Sequence, residues 1–140
     1  MPGVVGLLAD DPIGATRELA DPAPYEAAFA AVDADPNQLL LVVDEEQGTG
    51  LAATLQLTFV PGLSRGGTLR AQLEGVRVAE AHRGGGLGSA LLEVVAALAE
   101  ERGAGLLQLT TDLRRADAIR FYEAAGYERT HAGLKRPLPR

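Results

Sequence analysis

The run Arg83-Gly84-Gly85-Gly86-Leu87-Gly88, with Ser89 next, is the part of this sequence whose residue types and spacing best suit it to hold a ligand. Glycines let successive backbone N–H groups converge on one point, and a helix starting just after them adds unpaired donors and the positive end of its dipole. An anion belongs there, and a phosphate or pyrophosphate is its natural form. Arg83 adds a charge-assisted contact and Ser89 a hydroxyl donor. Two phosphate loops are excluded. A Walker loop needs a lysine before its Ser or Thr, where this chain has Gly88-Ser89, and a dinucleotide loop needs a glycine where Ser89 stands. A plain tight turn would not need so many entropically unfavourable glycines beside an arginine.

Such a loop must be positioned by a strand before it and a helix after it. Residues 86–102 read as that helix, with Leu87, Ala90, Leu91, Val94 and Leu98 on one face and Gly103 as its stop. The preceding strand, residues 68–78, carries a fault. Its apolar positions are Leu69, Ala71 and Leu73, then Val76 and Val78, so the phase flips at Gly75. Strand side chains alternate faces, and a flip at a glycine is what one extra residue in a β-bulge produces. A bulge disrupts pairing and opens a place where a ligand can enter.

The remaining elements follow from pattern. A short helix covers residues 2–9 and ends at Asp10-Asp11-Pro12. A second, over about residues 22–34, has Asp21 as cap and Pro22 in its first turn. Strands at residues 39–43 and 51–59 flank a hairpin turn at Gly48-Thr49-Gly50, and residues 106–111 form a buried strand. A final helix over about residues 114–125 stops at Gly126, and two short strands are expected near residues 127–131 and 134–138.

The bulk numbers narrow the function classes. At 140 residues, 46% hydrophobic and 23% charged, the chain fits one globular domain. A net charge of −6 argues against nucleic acid as a partner. With no cysteine and two distant histidines, no metal site and no thiol nucleophile are expected. The apolar run at residues 4–9 is too short to span a bilayer and lacks the basic flank of a signal peptide, which reads as a cytoplasmic protein off the membrane.

Val76-Arg77-Val78, followed by Arg83-Gly84-Gly85-Gly86-Leu87-Gly88-Ser89-Ala90-Leu91-Leu92, resembles the acetyl-CoA motif of the GNAT N-acetyltransferase superfamily, Arg/Gln-x-x-Gly-x-Gly/Ala. Downstream, Ala118, Phe121-Tyr122 and Gly126-Tyr127 resemble its Ala-x-x-Phe-Tyr-x-x-x-Gly-Phe/Tyr signature. The resemblance implies an α/β (α+β) fold: a mixed, twisted sheet with helices on both faces and two central parallel strands that splay apart. It implies that acetyl-CoA, as co-substrate, lays its pantetheine arm in the split against the backbone of Val76, Arg77 and Val78. Amides of residues 83–89 would hold its pyrophosphate, and Tyr122 would aim its hydroxyl at the sulfur. Arg115 stands where the family often has an asparagine, and the resemblance adds it to the residues expected to bind the coenzyme. The stretch from Leu109 to Tyr122 is similar to a bacterial subgroup that includes aminoalkylphosphonate N-acetyltransferases, with Ile119 where those usually have histidine. Family chains normally open with a strand before the first helix, and this sequence opens in the helix. Either the sheet lacks that strand, a partner supplies it, or the start codon is late. A homodimer is common in the family.

Acetyl transfer to an amine needs a neutral nucleophile, an oxyanion donor and an acid for the departing thiolate. Without cysteine, direct attack in a ternary complex is favoured over an acetyl-enzyme. Backbone N–H near Val78 is the oxyanion donor. Tyr122 is the acid, or else packs beside Phe121. Glu74 is the base, acting directly or through water, or else an exposed strand carboxylate. Asp112 binds the substrate amine or caps the last helix. Asp10, Asp11, Glu45 and Glu46 draw a cationic amine or sit in solvated loops, and His131 and Lys135 carry no chemistry. Besides an enzyme acting on a small amine, an acyl-CoA-binding regulator and a non-enzymatic interaction domain fit the same fold.

Overall fold

The computed structural model describes residues 1–139. Helix α1 (Pro2–Ala9) begins on a proline suited to a first turn and is followed by a 3₁₀ turn, Gly14–Thr16. In α2 (Ala23–Ala34) the first turn is held by Asp21, whose Oδ1 accepts the Ala23 N–H at 3.0 Å. Strands β1 (Gln38–Asp44) and β2 (Leu51–Val60) form a hairpin, and an irregular turn, α3 (Ser64–Gly67), leads to β3 (Arg70–Val78). A second 3₁₀ turn (Glu80–His82) precedes α4 (Leu87–Glu101), then come β4 (Leu106–Leu109) and α5 (Ala116–Ala124).

The sheet runs β1-β2-β3-β4, antiparallel except for the parallel β3/β4 pair, so the expected mixed α/β architecture is present. Ala53, Leu55, Leu57 and Phe59 of β2 and Ala71 and Leu73 of β3 share one face by two-residue alternation, and α4 packs Leu91, Leu92, Val95 and Ala99 on them. Burying each of the larger side chains contributes about 1.5–3 kcal/mol. The helix is turned relative to the sequence expectation: Val94 is 51% exposed and Ala90 is exposed, while Val95 is fully buried. Adjacent valines leave the phase of a 3.6-residue repeat ambiguous, and packing against β2 and β3 settles it.

On the opposite face, α1 buries Val4 and Leu7 over Ala52 and Thr54 of β2. The buried Thr54 hydroxyl is satisfied by the Leu41 carbonyl at 2.9 Å. No helix among the described residues is long and apolar enough to cross a membrane.

The bulge is where the pattern puts it. Thr54 pairs with Arg77 and Gln56 with Glu74, so β3 takes three steps where β2 takes two, and Gly75 turns the corner at φ +58°. An added Cβ there would also press on Leu8 at 3.3 Å. On its other side β3 pairs with β4 only from Arg70↔Leu106 to Leu73↔Leu109. Beyond that the two parallel strands separate.

Two expectations change. β4 stops at Leu109, leaving Thr110 and Thr111 outside it. Residues 127–139 form no strand, and Leu134 and Leu138 are exposed. A strand exists only where backbone pairs, and Pro137 and Pro139 remove two of the donors such pairing would use. As expected from the sequence, no strand precedes α1 among the described residues, and the sheet has four strands.

Candidate active site

The split between β3 and β4 is lined by backbone. The Ala79 N–H donates to Ala52 of β2 at 2.8 Å, so by alternation the N–H and C=O groups of Val76 and Val78 point away from β2, into the split. Two arginines mark this edge. Arg77 Nη1 donates to the Val76 carbonyl at 2.8 Å, and Arg83 Nε donates to the Val78 carbonyl at 3.0 Å.

At the mouth of the split lies the glycine loop. Gly86 caps α4 in the left-handed region at φ +86°, and no side chain caps the helix, so the first N–H groups of α4 are open to a ligand. Gly84 shares the left-handed conformation, and residues 83–86 are exposed. Gly88 is needed for a different reason: a Cβ there would meet Phe121 Cζ at 3.2 Å, so α4 starts close against α5. Arg83 is committed partly to the scaffold, donating also to the Asp10 carbonyl at 3.1 Å, with Asp10 Oδ2 at 3.6 Å. Ser89 is exposed in the first turn. Beside the loop a cleft of about 560 Å³ is lined by Asp44, Glu45, Glu46, His82 and Gly85 among others, with Glu45 Oε1 3.4 Å from His82 Nε2.

Tyr122 stands on the α5 side of the split, its ring 5.3 Å from Phe121 and 5.7 Å, edge-on, from Tyr127. Burial raises its phenol pKa, and the positive charges of Arg77 and Arg115 pull it part of the way back. Its hydroxyl makes no hydrogen bond within the described residues, so it is both packed and unengaged. Glu74 is exposed on the α1 face of β3, just before the bulge, and accepts a hydrogen bond from Gln72 Nε2 at 2.8 Å.

Asp112 does not hold an open carboxylate toward a substrate amine. Its Oδ1 accepts from the Arg114 N–H at 3.0 Å and Nε at 2.9 Å, and its Oδ2 from Arg17 Nη2 at 2.6 Å and Arg114 Nη2 at 2.8 Å. The Arg114 hydrogen bonds hold its pKa below the usual carboxylate range. It caps the turn before α5 rather than α5 itself, whose first position has no side-chain cap.

A cluster the sequence did not announce joins the two sides of the split. Asp11, in the loop after α1, accepts the Ile13 and Gly14 N–H groups on Oδ1 at 2.9 and 2.6 Å and Arg115 Nη1 on Oδ2 at 2.8 Å. Arg77 Nε lies 3.3 Å from the same Oδ2 but is not aligned as a hydrogen bond. Burial alone would raise the Asp11 pKa; the Arg115 and Gly14 hydrogen bonds and the two guanidinium charges overturn that and lower it to about 2. Asp10 and Asp11 are thus paired to arginines, not free to draw a cation. Arg77 and Arg115 meet across this carboxylate on the α1 face of the sheet.

The site is thus a mixed sheet split between two parallel strands, with an uncapped helix N-terminus at its mouth. Residues 7–127 match the acetyltransferase (GNAT) family. The chain belongs to that family. Among solved structures, a transcriptional regulator from Bacillus halodurans C-125 is similar at 43% identity over 96% of this chain and 90% of that one, with a TM-score of 0.89. Glucosamine-6-phosphate N-acetyltransferase from Arabidopsis thaliana (18% identity, 98% and 90% covered, TM-score 0.79) and an acetyltransferase from Trypanosoma brucei (21%, 98% and 92%, 0.77) share the fold. No curated protein matches the chain.

Proposed function

We propose that this protein transfers an acetyl group from acetyl-CoA to a primary amine of a small molecule, by direct attack in a ternary complex. The observation that carries the reading is the pairing of two features at one place: split-facing backbone groups at Val76 and Val78, and the open N-terminus of α4 behind Gly84, Gly85 and Gly86. The first suits the amide-bearing arm of the coenzyme and the second its pyrophosphate. Arg83, Leu87, Gly88 and Ser89 complete that cradle, whereas the Arg77 backbone groups, out of phase with those of Val76 and Val78, face β2 and do not join it.

The coenzyme supplies an activated thioester. The residues do the rest. The Val78 N–H stabilises negative charge developing on the carbonyl oxygen as the amine nitrogen forms the new C–N bond and the C–S bond breaks. Tyr122 gives its proton to the departing sulfur, and Glu74, through water, takes the proton lost by the amine. The wider proposal is a cytoplasmic enzyme, assembled as a homodimer. The narrower likeness to aminoalkylphosphonate N-acetyltransferases gains no support from the comparisons. Regulation of transcription, the description carried by the 43%-identical protein, gains none from a chain in which 19 acidic residues face 13 basic ones.

Calorimetric titration with acetyl-CoA, alongside Gly86→Glu, tests the reading. Saturable binding that the variant loses, followed by acetylation of an amine in a panel, is the expected result. A wild type that binds no acetyl-CoA overturns it.

A further inference from the structure

Arg77 and Arg115 reach one another from opposite sides of the split, Arg77 from β3 past the bulge and Arg115 from the start of α5. Their side chains are 19% and 18% exposed, and between them lies a single carboxylate oxygen, Asp11 Oδ2. Arg115 Nη2 is buried and donates to nothing among the described residues, and the buried Arg77 Nε lacks a properly aligned acceptor. Leaving such donors unmet is costly, and for charged groups more so. The next ion pair repeats the imbalance, since Asp112 sits between Arg17 and Arg114. Four guanidiniums therefore share two carboxylates in a protein whose net charge is −6. The other carboxylate on this face of β3, Glu74, is exposed and bound to Gln72.

The position of the pair says which reactant it serves. Phosphate-binding features lie at the N-terminus of α4, which packs on one face of the sheet, whereas Arg77 shares the other face with Thr54 and α1. An amine attacking a thioester held in the split arrives from the side the coenzyme leaves open, which is the α1 side. Tyr122 feels the charge of both arginines, so the pair stands near the reacting end. The geometry points to an oxyanion subsite at Arg77 and Arg115: the acceptor is an amine that also carries a carboxylate or a phosphorus oxyanion, which shares the two guanidiniums with Asp11. This inference rests on the acetyltransferase reading for the amine and on the arginine pair for the anion.

Three probes of equal chain length separate the cases: an ω-amino carboxylate, an ω-amino phosphonate and the uncharged alkylamine. With the wild type, the anionic probes are preferred in kcat/KM by about tenfold or more, as expected for charge-assisted hydrogen bonds to guanidinium, and their order identifies the oxyanion. In Arg115→Gln the preference for the anionic probes over the alkylamine disappears through KM for the amine, the alkylamine serving as the control within the same variant. Asp11→Asn removes the competing carboxylate and tightens the anionic probes several-fold, a gain that misfolding cannot imitate. Equal use of the alkylamine by the wild type, a preference for the anionic probes that survives in Arg115→Gln, or no tightening in Asp11→Asn overturns the subsite. If the wild type binds no acetyl-CoA, the enzyme reading falls by itself. Titration of the anionic probes without coenzyme then decides the subsite: binding lost in Arg115→Gln upholds it, and no binding removes it.

Discussion

The two faces of the sheet meet the split in opposite ways. On the α4 face backbone predominates: glycines in left-handed conformations, uncapped N–H groups and a close helix contact at Gly88, with Arg83 and Ser89 beside them. On the α1 face everything is side chain, with Asp11, Arg77 and Arg115 interlocked across the gap. A backbone site is indifferent to most substitutions and suits a ligand that does not vary. A side-chain site can be retuned one residue at a time, which suits the reactant that distinguishes one family member from another. The division of labour predicts that damage to the two faces separates cleanly.

The sharpest break is Gly86→Glu. It forces a side chain into φ +86° and a carboxylate into the anion nest, and coenzyme affinity is expected to fall by about a hundredfold or more in a calorimetric titration. Tyr122→Phe tests the junction of the faces. The ring keeps its contacts with Phe121 and Tyr127, so binding is unchanged while turnover drops by about a hundredfold, the usual scale for removing a general acid. A variant with unaltered kcat removes Tyr122 from the chemistry and leaves it as packing.

The same division explains what was legible in the sequence. The glycine loop and the bulge are local, and a phase flip at Gly75 is visible to anyone counting alternate residues. Burial of α4 was legible as a periodicity but not as a phase, because Val94 and Val95 both fit and only the shape of β2 and β3 chooses. Strands in residues 127–139 looked reasonable by composition, but strand pairing is a property of two segments, and that tail has no paired neighbour among the described residues. Hardest of all was the α1-face cluster. Asp11 and Arg115 are 104 positions apart, and no pattern in either neighbourhood announces the other. The sequence offers Asp112 as an amine ligand or a cap of the last helix, and instead it holds the turn before α5 and accepts Arg17 from the start of the chain.

Gly75 is the hinge between the two regimes, since its bulge shifts the β2/β3 register and the β3/β4 pairing stops two residues earlier. Gly75→Ala must place a Cβ at φ +58° and against Leu8, which is expected to cost about 1–2 kcal/mol in urea unfolding. An unchanged midpoint would mean that the bulge relaxes at little cost, and the split would then be held open by the arginine cluster instead.

The smallest effect belongs to acid. Asp11 titrates at about 2 in the folded protein against an ordinary value of 3.8. A carboxylate depressed on folding stabilises the native state fully above its unfolded pKa and loses that contribution as pH falls through the folded one. Thermal melts taken from about pH 5 down to pH 2 should therefore fall more steeply below about pH 4 for the wild type than for Asp11→Asn, which has no proton to gain there. Coenzyme affinity measured over the upper part of that range should follow the glycine loop rather than Asp11. Parallel acid curves for the two proteins would show that the carboxylate does not tie the split together, and that the arginines are held by their own packing.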